Sequence, residues 1–222
     1  MLPRRPPFKS PEQKAHPNLL VNESLPPAPR QERSRRTREA LLRAALATFE
    51  KRGYEATSIA EIARRAKVAV GAFYLHFRTK RQALLVLMDR LVLELAAVGP
   101  SDSTEADPVS AKALVATVVA EALSVDRKYA GVFRAWREAV LTEAGLAPLQ
   151  GQIDAWSVAR LVAMLDHVRR APHARPDLDI PTLAQVFHAL FWRLAEQRAG
   201  GEEEVVLATT AVLVHTLFDD GA

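Results

Sequence analysis

Between Arg35 and Lys80 the chain reads RRTREALLRAALATFEKRGYEATSIAEIARRAKVAVGAFYLHFRTK, a run dense in positive charge and interrupted by two turn signals. Leu41, Ala45 and Phe49 recur at helical spacing, while Arg38, Arg43, Lys51 and Arg52 fall outside that stripe; together they predict a helix over 37–52. Gly53 supplies the positive-φ residue that ends helices. Ser58 and Glu61 fit a Ser-x-x-Glu capping box opening a second helix, with Ile59, Ile62, Ala63 and Ala66 inward and Arg64 and Arg65 outward. Ala66-Lys67-Val68 is the turn, and a third helix is predicted over 68–77, with Phe73 and Phe77 one turn apart on its inner side.

The leading edge of that third helix is Ala69, Val70, Gly71 and Ala72: small, uncharged, and holding a glycine that costs a helix interior about 1 kcal/mol relative to alanine. Close approach to another surface explains such an edge better than stability does. A helix entering the DNA major groove needs small residues there, and Tyr74, His76 and Lys80 supply donors suited to phosphate oxygens. The pattern is a helix-turn-helix.

The same residues resemble the DNA-binding domain of the TetR family of bacterial transcription regulators. The resemblance is carried by Gly53-Tyr54, Thr57-Ser58-Ile59, Glu61-Ile62-Ala63 and Gly71-Ala72-Phe73-Tyr74-Leu75-His76-Phe77-Arg78-Thr79-Lys80. Its aromatic-x-His-Phe-x-x-Lys ending is the specific part. Position by position, the resemblance implies that Thr57 and Ser58 meet phosphate at the start of the second helix, that Ala69, Val70, Gly71 and Ala72 face bases, and that Tyr74, His76 and Lys80 clamp the backbone. Two positions depart from the family. Lys67 stands where glycine is usual, in a turn that strains it mildly while offering a phosphate contact. Ala69 replaces the usual Ser or Thr and forgoes a side-chain cap worth roughly 1 kcal/mol.

Charge divides the 222 residues in the same sense. Residues 1–98 hold 19 Lys/Arg against 9 Asp/Glu, and residues 99–222 hold 11 against 17. A basic first part and an acidic second part indicate that only the first meets a polyanion. Hydrophobic content of 49% excludes a wholly disordered chain, and the absence of cysteine removes disulfides, thiolate metal sites and thiol catalysis. No apolar run reaches bilayer length, and the basic N-terminus lacks a following apolar core, so the expectation is a cytoplasmic chain without secretory signal or membrane association.

Residues 1–30 hold 8 of the 14 prolines and predict an extended or disordered basic tail. Arg30, Arg33, Arg35, Arg36 and Arg38 lead into the first helix, where a basic arm along DNA, Arg36 included, competes with a merely solvated helix start. Residues 31–81 form the helix-turn-helix domain, and 82–222 the effector-binding and dimerisation domain. Gln82–Val98 predicts a long apolar helix linking the two, and Ser101–Pro108 a polar linker. Further helices are predicted over 109–126, 127–144, 148–171, 179–199 and 205–218, the fourth capped by Asp179 and stopped by Gly200-Gly201. No strand alternation appears. The fold class is all-α: an N-terminal three-helix head plus a C-terminal helical bundle that dimerises.

Leu183, Phe187, Leu190, Phe191 and Leu194, with Leu213 and Leu217 on the last helix, give more apolar surface than a monomer needs, and pairing with a second copy is the better reading. Two recognition helices would then sit about 34–36 Å apart on a palindromic duplex. Phe133, Trp136, Trp156 and His167 are candidates for lining a cavity for a small apolar effector; each aromatic taken alone reads more readily as core filler, and His167 as a side chain satisfied by its neighbours. No metal-ligand spacing, phosphate-cradling glycine loop or nucleophile elbow is present, so neither catalysis nor a cofactor is indicated. The resulting expectation is a sequence-specific regulator, a repressor released by a small effector. The rival is an effector-independent all-α dimer acting as an interaction or architectural DNA-binding module.

Overall fold

The computed structural model describes residues 16–28, 30–99, 108–171, 173–196 and 202–218, apart from the side chains of 108–110, 194–196 and 202–203. Within them the chain forms α1 (Glu32–Arg52), α2 (Ile59–Arg65), α3 (Val70–Tyr74), α4 (Lys80–Ala97), α5 (Pro108–Lys128), α6 (Ala130–Thr142), α7 (Leu146–Val168), α8 (Ile180–Glu196) and α9 (Glu202–Leu217). The one extended pairing among the described residues is an isolated bridge between Ala174 and Phe218. The chain is all-α. No helix among the described residues is long and apolar enough to cross a membrane.

Contacts divide the molecule into two compact units. One combines Pro17–Leu93 with Arg127–Gln152; the other combines Glu94–Asp126 with the chain from Ile153 onward. A cut at residue 81 therefore does not separate the head from everything after it, because α6 belongs with α1.

In the first unit, Leu41, Leu42, Ala45 and Phe49 of α1 are buried with Ile62 and Ala63 of α2, Phe73 and Phe77, and Leu84, Leu85 and Met88 of α4. α6 lies against α1 so closely that a Cβ at Gly131 would stand 2.6 Å from the Leu46 carbonyl oxygen and 2.7 Å from the Glu50 nitrogen. Only a residue with no side chain permits that approach. Val132, Phe133, Ala135, Trp136 and Ala139 fill the remainder of the buried face of α6.

Three differences from the sequence reading have local causes. α1 begins at Glu32, a turn before Thr37, because Glu32 accepts from Arg35 at 2.6 Å and from Arg36 at 3.1 Å and places a negative charge at the positive helix end. α3 is shorter than 68–77. Ala69 is extended, and the amides of His76 and Phe77 both donate to the Phe73 carbonyl at 2.9 Å, closing the helix early. The third concerns the tail. Residues 1–15 lie outside the described residues, but from Pro17 onward the chain packs instead of trailing: Leu19 is buried, and Glu23 pairs with Arg81. Gln82 adds a bond to the Ser24 carbonyl at 3.3 Å.

In the second unit, Ala111, Val115, Val119 and Leu123 of α5 form one core with Leu165 and Val168 of α7, Ile180, Ala184 and Phe187 of α8, and Leu217 and Phe218. Asp179 opens α8 as expected, its carboxylate accepting from the Thr182 hydroxyl at 2.6 Å. Of the predicted linker 101–108, all but Pro108, which already opens α5, falls outside the described residues, as does the Gly200-Gly201 stop.

Candidate nucleic-acid interface

The turn between α2 and α3 is built on Lys67, whose φ is +58°. The Val68 amide donates to the Ala63 carbonyl at 3.0 Å and the Lys67 amide to the Arg64 carbonyl at 3.1 Å, the paired closure of a Schellman end. That turn projects α3 with an exposed face. Ala69, Val70, Gly71 and Tyr74 are exposed, and Ala72 is half-buried, while Phe73 beneath them is fully buried. A Cβ at Gly71 would meet nothing within 4 Å. None of the described residues therefore calls for a glycine there, in contrast to Gly131. Ala69 makes no side-chain cap bond, as its residue type requires.

Around this face, Ser58, Lys67 and Arg36 are exposed. Ser58 accepts from the Glu61 amide at 3.2 Å, but Glu61 does not complete the box; it pairs with Arg52 at 3.0 Å. Arg64, Arg65, Leu75 and Arg78 share the exposed surface and were not singled out by sequence reasoning, though the charge pattern of α2 already pointed outward. Beside the start of α1 runs a groove of ≈ 630 Å³ lined by Arg35, Arg36, Arg38 and Arg43 with Glu32 and Glu39.

Three residues assigned to phosphate face inward instead. Thr57 is buried, and its hydroxyl donates to the Gly53 carbonyl at 2.6 Å. His76 is 4% exposed; burial first, then the Arg38 charge, hold its imidazole below the usual pKa. Its carbonyl accepts from Arg38 at 3.0 Å, and the Arg38 guanidinium lies 4.5 Å above the Phe77 ring. Lys80 donates to the carbonyls of Tyr54 and Glu55 at 2.8 and 3.2 Å and stands 4.3 Å over the Tyr54 ring. These side chains shape the head from behind the exposed face.

The turn that Lys80 holds is also held by α6. Glu138 accepts from the Tyr54 amide at 2.6 Å and the Glu55 amide at 3.3 Å; the Tyr54 hydroxyl donates to Glu143 at 2.5 Å, and the Thr142 hydroxyl to Glu55 at 2.7 Å. Burial, followed by the Glu143 bond, keeps the Tyr54 hydroxyl protonated. A Cβ at Gly53, whose φ is +78°, would coincide with the Glu138 carboxylate. The left-handed φ favours glycine there, and a side chain would displace the Glu138 carboxylate from the two amides it serves.

The four effector candidates fall in different units. Phe133 and Trp136 are buried in the first unit, where the Trp136 indole nitrogen donates to Gln150 at 2.5 Å, and they serve as core of the α1–α6 packing. Trp156 and His167 lie in the second unit, both partly buried. Arg160 stands 5.9 Å from the Trp156 ring, and burial, then Arg170, lower the His167 pKa. Of the residues assigned to a dimer interface, Phe187 and Leu217 are buried in the chain's own core, and Leu183, Phe191 and Leu213 pack partly against it. Leu190 is 36% exposed; the Leu194 side chain is outside the described ones. The apolar residues that α8 and α9 do expose include Val186, Leu207 and Val212.

Residues 41–86 match the family model of bacterial regulatory proteins, tetR family. The A-factor receptor protein of Streptomyces griseus is 42% identical over 60 residues, 27% of this chain and 22% of that protein. The transposon Tn10 TetC protein of Escherichia coli is 44% identical over 54 residues, 24% of this chain and 27% of that protein. The matches thus span about a quarter of those curated relatives. Among solved structures, full-length TylP, a TetR regulator from Streptomyces fradiae, superposes with a TM-score of 0.58 at 25% identity, covering 85% of this chain and 90% of that one. The ketosteroid transcriptional regulator KstR2 of Mycobacterium tuberculosis gives 0.62 at 20% identity, covering 82% and 95%. The latter likeness is one of fold.

Proposed function

We propose, from the premise that the chain is of the tetR family, that it is a dimeric, sequence-specific DNA-binding regulator of transcription whose duplex affinity is set by a small effector. The observation that carries the DNA reading is Gly71. It sits on the exposed face of α3 with open space around it, so the missing side chain makes room for something outside the chain. The major groove is the surface that admits such a helix. In this reading Ala69, Val70, Gly71 and Ala72 approach base edges, and Arg36, Ser58, Lys67 and Tyr74 contact the backbone. Thr57, His76 and Lys80 hold the geometry behind them.

Replacing Gly71 by alanine tests this directly. Without DNA the protein gains about 0.5–1 kcal/mol, since alanine is the better helix former and meets no neighbour. Affinity for a duplex selected from a random pool falls about tenfold or more, the effect of a methyl forced into a close interface. Unchanged affinity in a stabilised variant would refute the assignment. The dimer is supported by the exposed Val186, Leu190, Leu207 and Val212 on the last two helices. Leu207→Arg is expected to shift sedimentation from dimer to monomer; a dimer that persists places the interface elsewhere. The effector belongs to the second unit, because the aromatic residues of α6 are occupied in packing.

A further inference from the structure

We propose that Asp126 is the polar anchor of an effector site in the second unit, and that it takes a protonated amine carried on an apolar body. Ala111, Val115, Val119 and Leu123 step along one face of α5 into the apolar core, and Asp126, three residues beyond Leu123, continues that face. It is 4% exposed, and both carboxyl oxygens are buried without a hydrogen-bond partner among the described residues. Native proteins satisfy nearly all such atoms, so the exception asks for a partner that the described residues do not supply.

The chemistry of that partner follows from the surroundings. A carboxylate accepts, so the partner donates. Among the described residues no side-chain charge offsets Asp126: burial alone acts on it, and the adjacent Arg127 and Lys128 are exposed. A hydroxyl would restore a hydrogen bond, but a cation adds the charge–charge attraction that a water-poor setting magnifies. Leu123 and Val119, one and two turns back on the same face, favour an apolar remainder. Burial also raises the pKa of the carboxyl well above the usual carboxylate range, so without a cation beside it the group keeps its proton to higher pH than an exposed aspartate does. An ammonium bound beside it reverses this. The acid and the cation give a carboxylate–ammonium pair, and the carboxyl proton goes to solvent.

The test is calorimetric titration of the full-length protein, without DNA, with 1-naphthylmethylamine, 1-naphthylmethanol and 1-naphthylacetic acid, in two buffers of different ionisation enthalpy. The amine is expected to bind about tenfold or more tighter than the alcohol and to release a proton. Asp126→Asn abolishes both the preference and the release while melting normally. Should that variant melt early, Asp126→Glu retains the acid and must retain proton release. Equal binding of amine and alcohol, an amine preference that survives in Asp126→Asn, or no binding of the amine at millimolar concentration overturns the proposal. It rests on the reading of the second unit as effector-binding, and the two fail separately. An amine that binds through Asp126 without changing duplex affinity keeps the anchor and sinks the switch.

Discussion

Replacing Gly131 by alanine sets a methyl group against the backbone of α1, at 2.6 Å from the Leu46 carbonyl oxygen and 2.7 Å from both the Glu50 nitrogen and its Cβ. Ordinary contact begins roughly 0.8 Å further out, and backbone cannot rotate aside as a side chain would, so α6 must lift from α1. Overpacking of this kind costs about 1–3 kcal/mol, against which alanine in place of glycine within a helix returns up to about 1 kcal/mol. The net is a loss of up to about 2 kcal/mol, equivalent to a melting temperature lower by up to about 8 °C for a chain of this size. Gly151→Ala is the matched control. It too lies within a helix, α7, yet a Cβ there meets nothing within 4 Å. That variant is expected to melt about 1–4 °C higher, since only the propensity gain remains. Differential scanning calorimetry of both variants separates the two effects. If Gly131→Ala melts with Gly151→Ala, above the parent, then the α1–α6 contact is looser than the structure has it and the reasoning fails.

Lys67→Gly relieves a left-handed backbone that costs a side-chain-bearing residue about 1 kcal/mol and is expected to raise the melting temperature by about 2–4 °C. In the reading that Lys67 touches a phosphate, the same change lowers the slope of log affinity against log salt by about 0.9. Glu138→Ala strips the acceptor from the Tyr54 and Glu55 amides; urea denaturation should show a loss of about 1–3 kcal/mol, and an unaltered midpoint would mean that those amides find water instead. Asp126 gives a pH dependence of definite sign. Its pKa is raised in the folded state, so between the unfolded value, about 3.9, and the higher folded one the native protein binds more protons and stability falls as pH rises. Subtracting Asp126→Asn from the parent at each pH isolates that decline; a difference that stays flat, or grows in the parent's favour, refutes it.

Periodicity made the helices legible, and residue type made several of their ends legible. Ser58 and Asp179 cap as their side chains allow, and Lys67 takes the left-handed turn that its place after α2 demands. What pattern cannot convey is direction. Thr57, His76 and Lys80 carry donors, and a donor at that position in the chain reads as a phosphate ligand. Whether it turns outward depends on the Gly53, Tyr54 and Glu55 carbonyls and on an apolar interior completed elsewhere. Distance along the chain hides the rest. Glu23 meets Arg81 58 residues away, so a proline-rich segment that cannot form its own core still finds one to join. Phe133 and Trp136 have the composition of a pocket lining, but Gly131 brings them down onto α1 and uses them there.

The reach of α6 has a practical corollary for exchanging DNA preferences between relatives. Glu138 serves amides that precede it by 84 and 83 residues, and Glu143 serves a tyrosine 89 residues upstream. A chimera spliced after the recognition motif would import Tyr54 and Glu55 while leaving their acceptors behind in the donor. Transplanting the motif together with residues 130–143 would carry both halves of that joint across, and the graft would inherit its own brace.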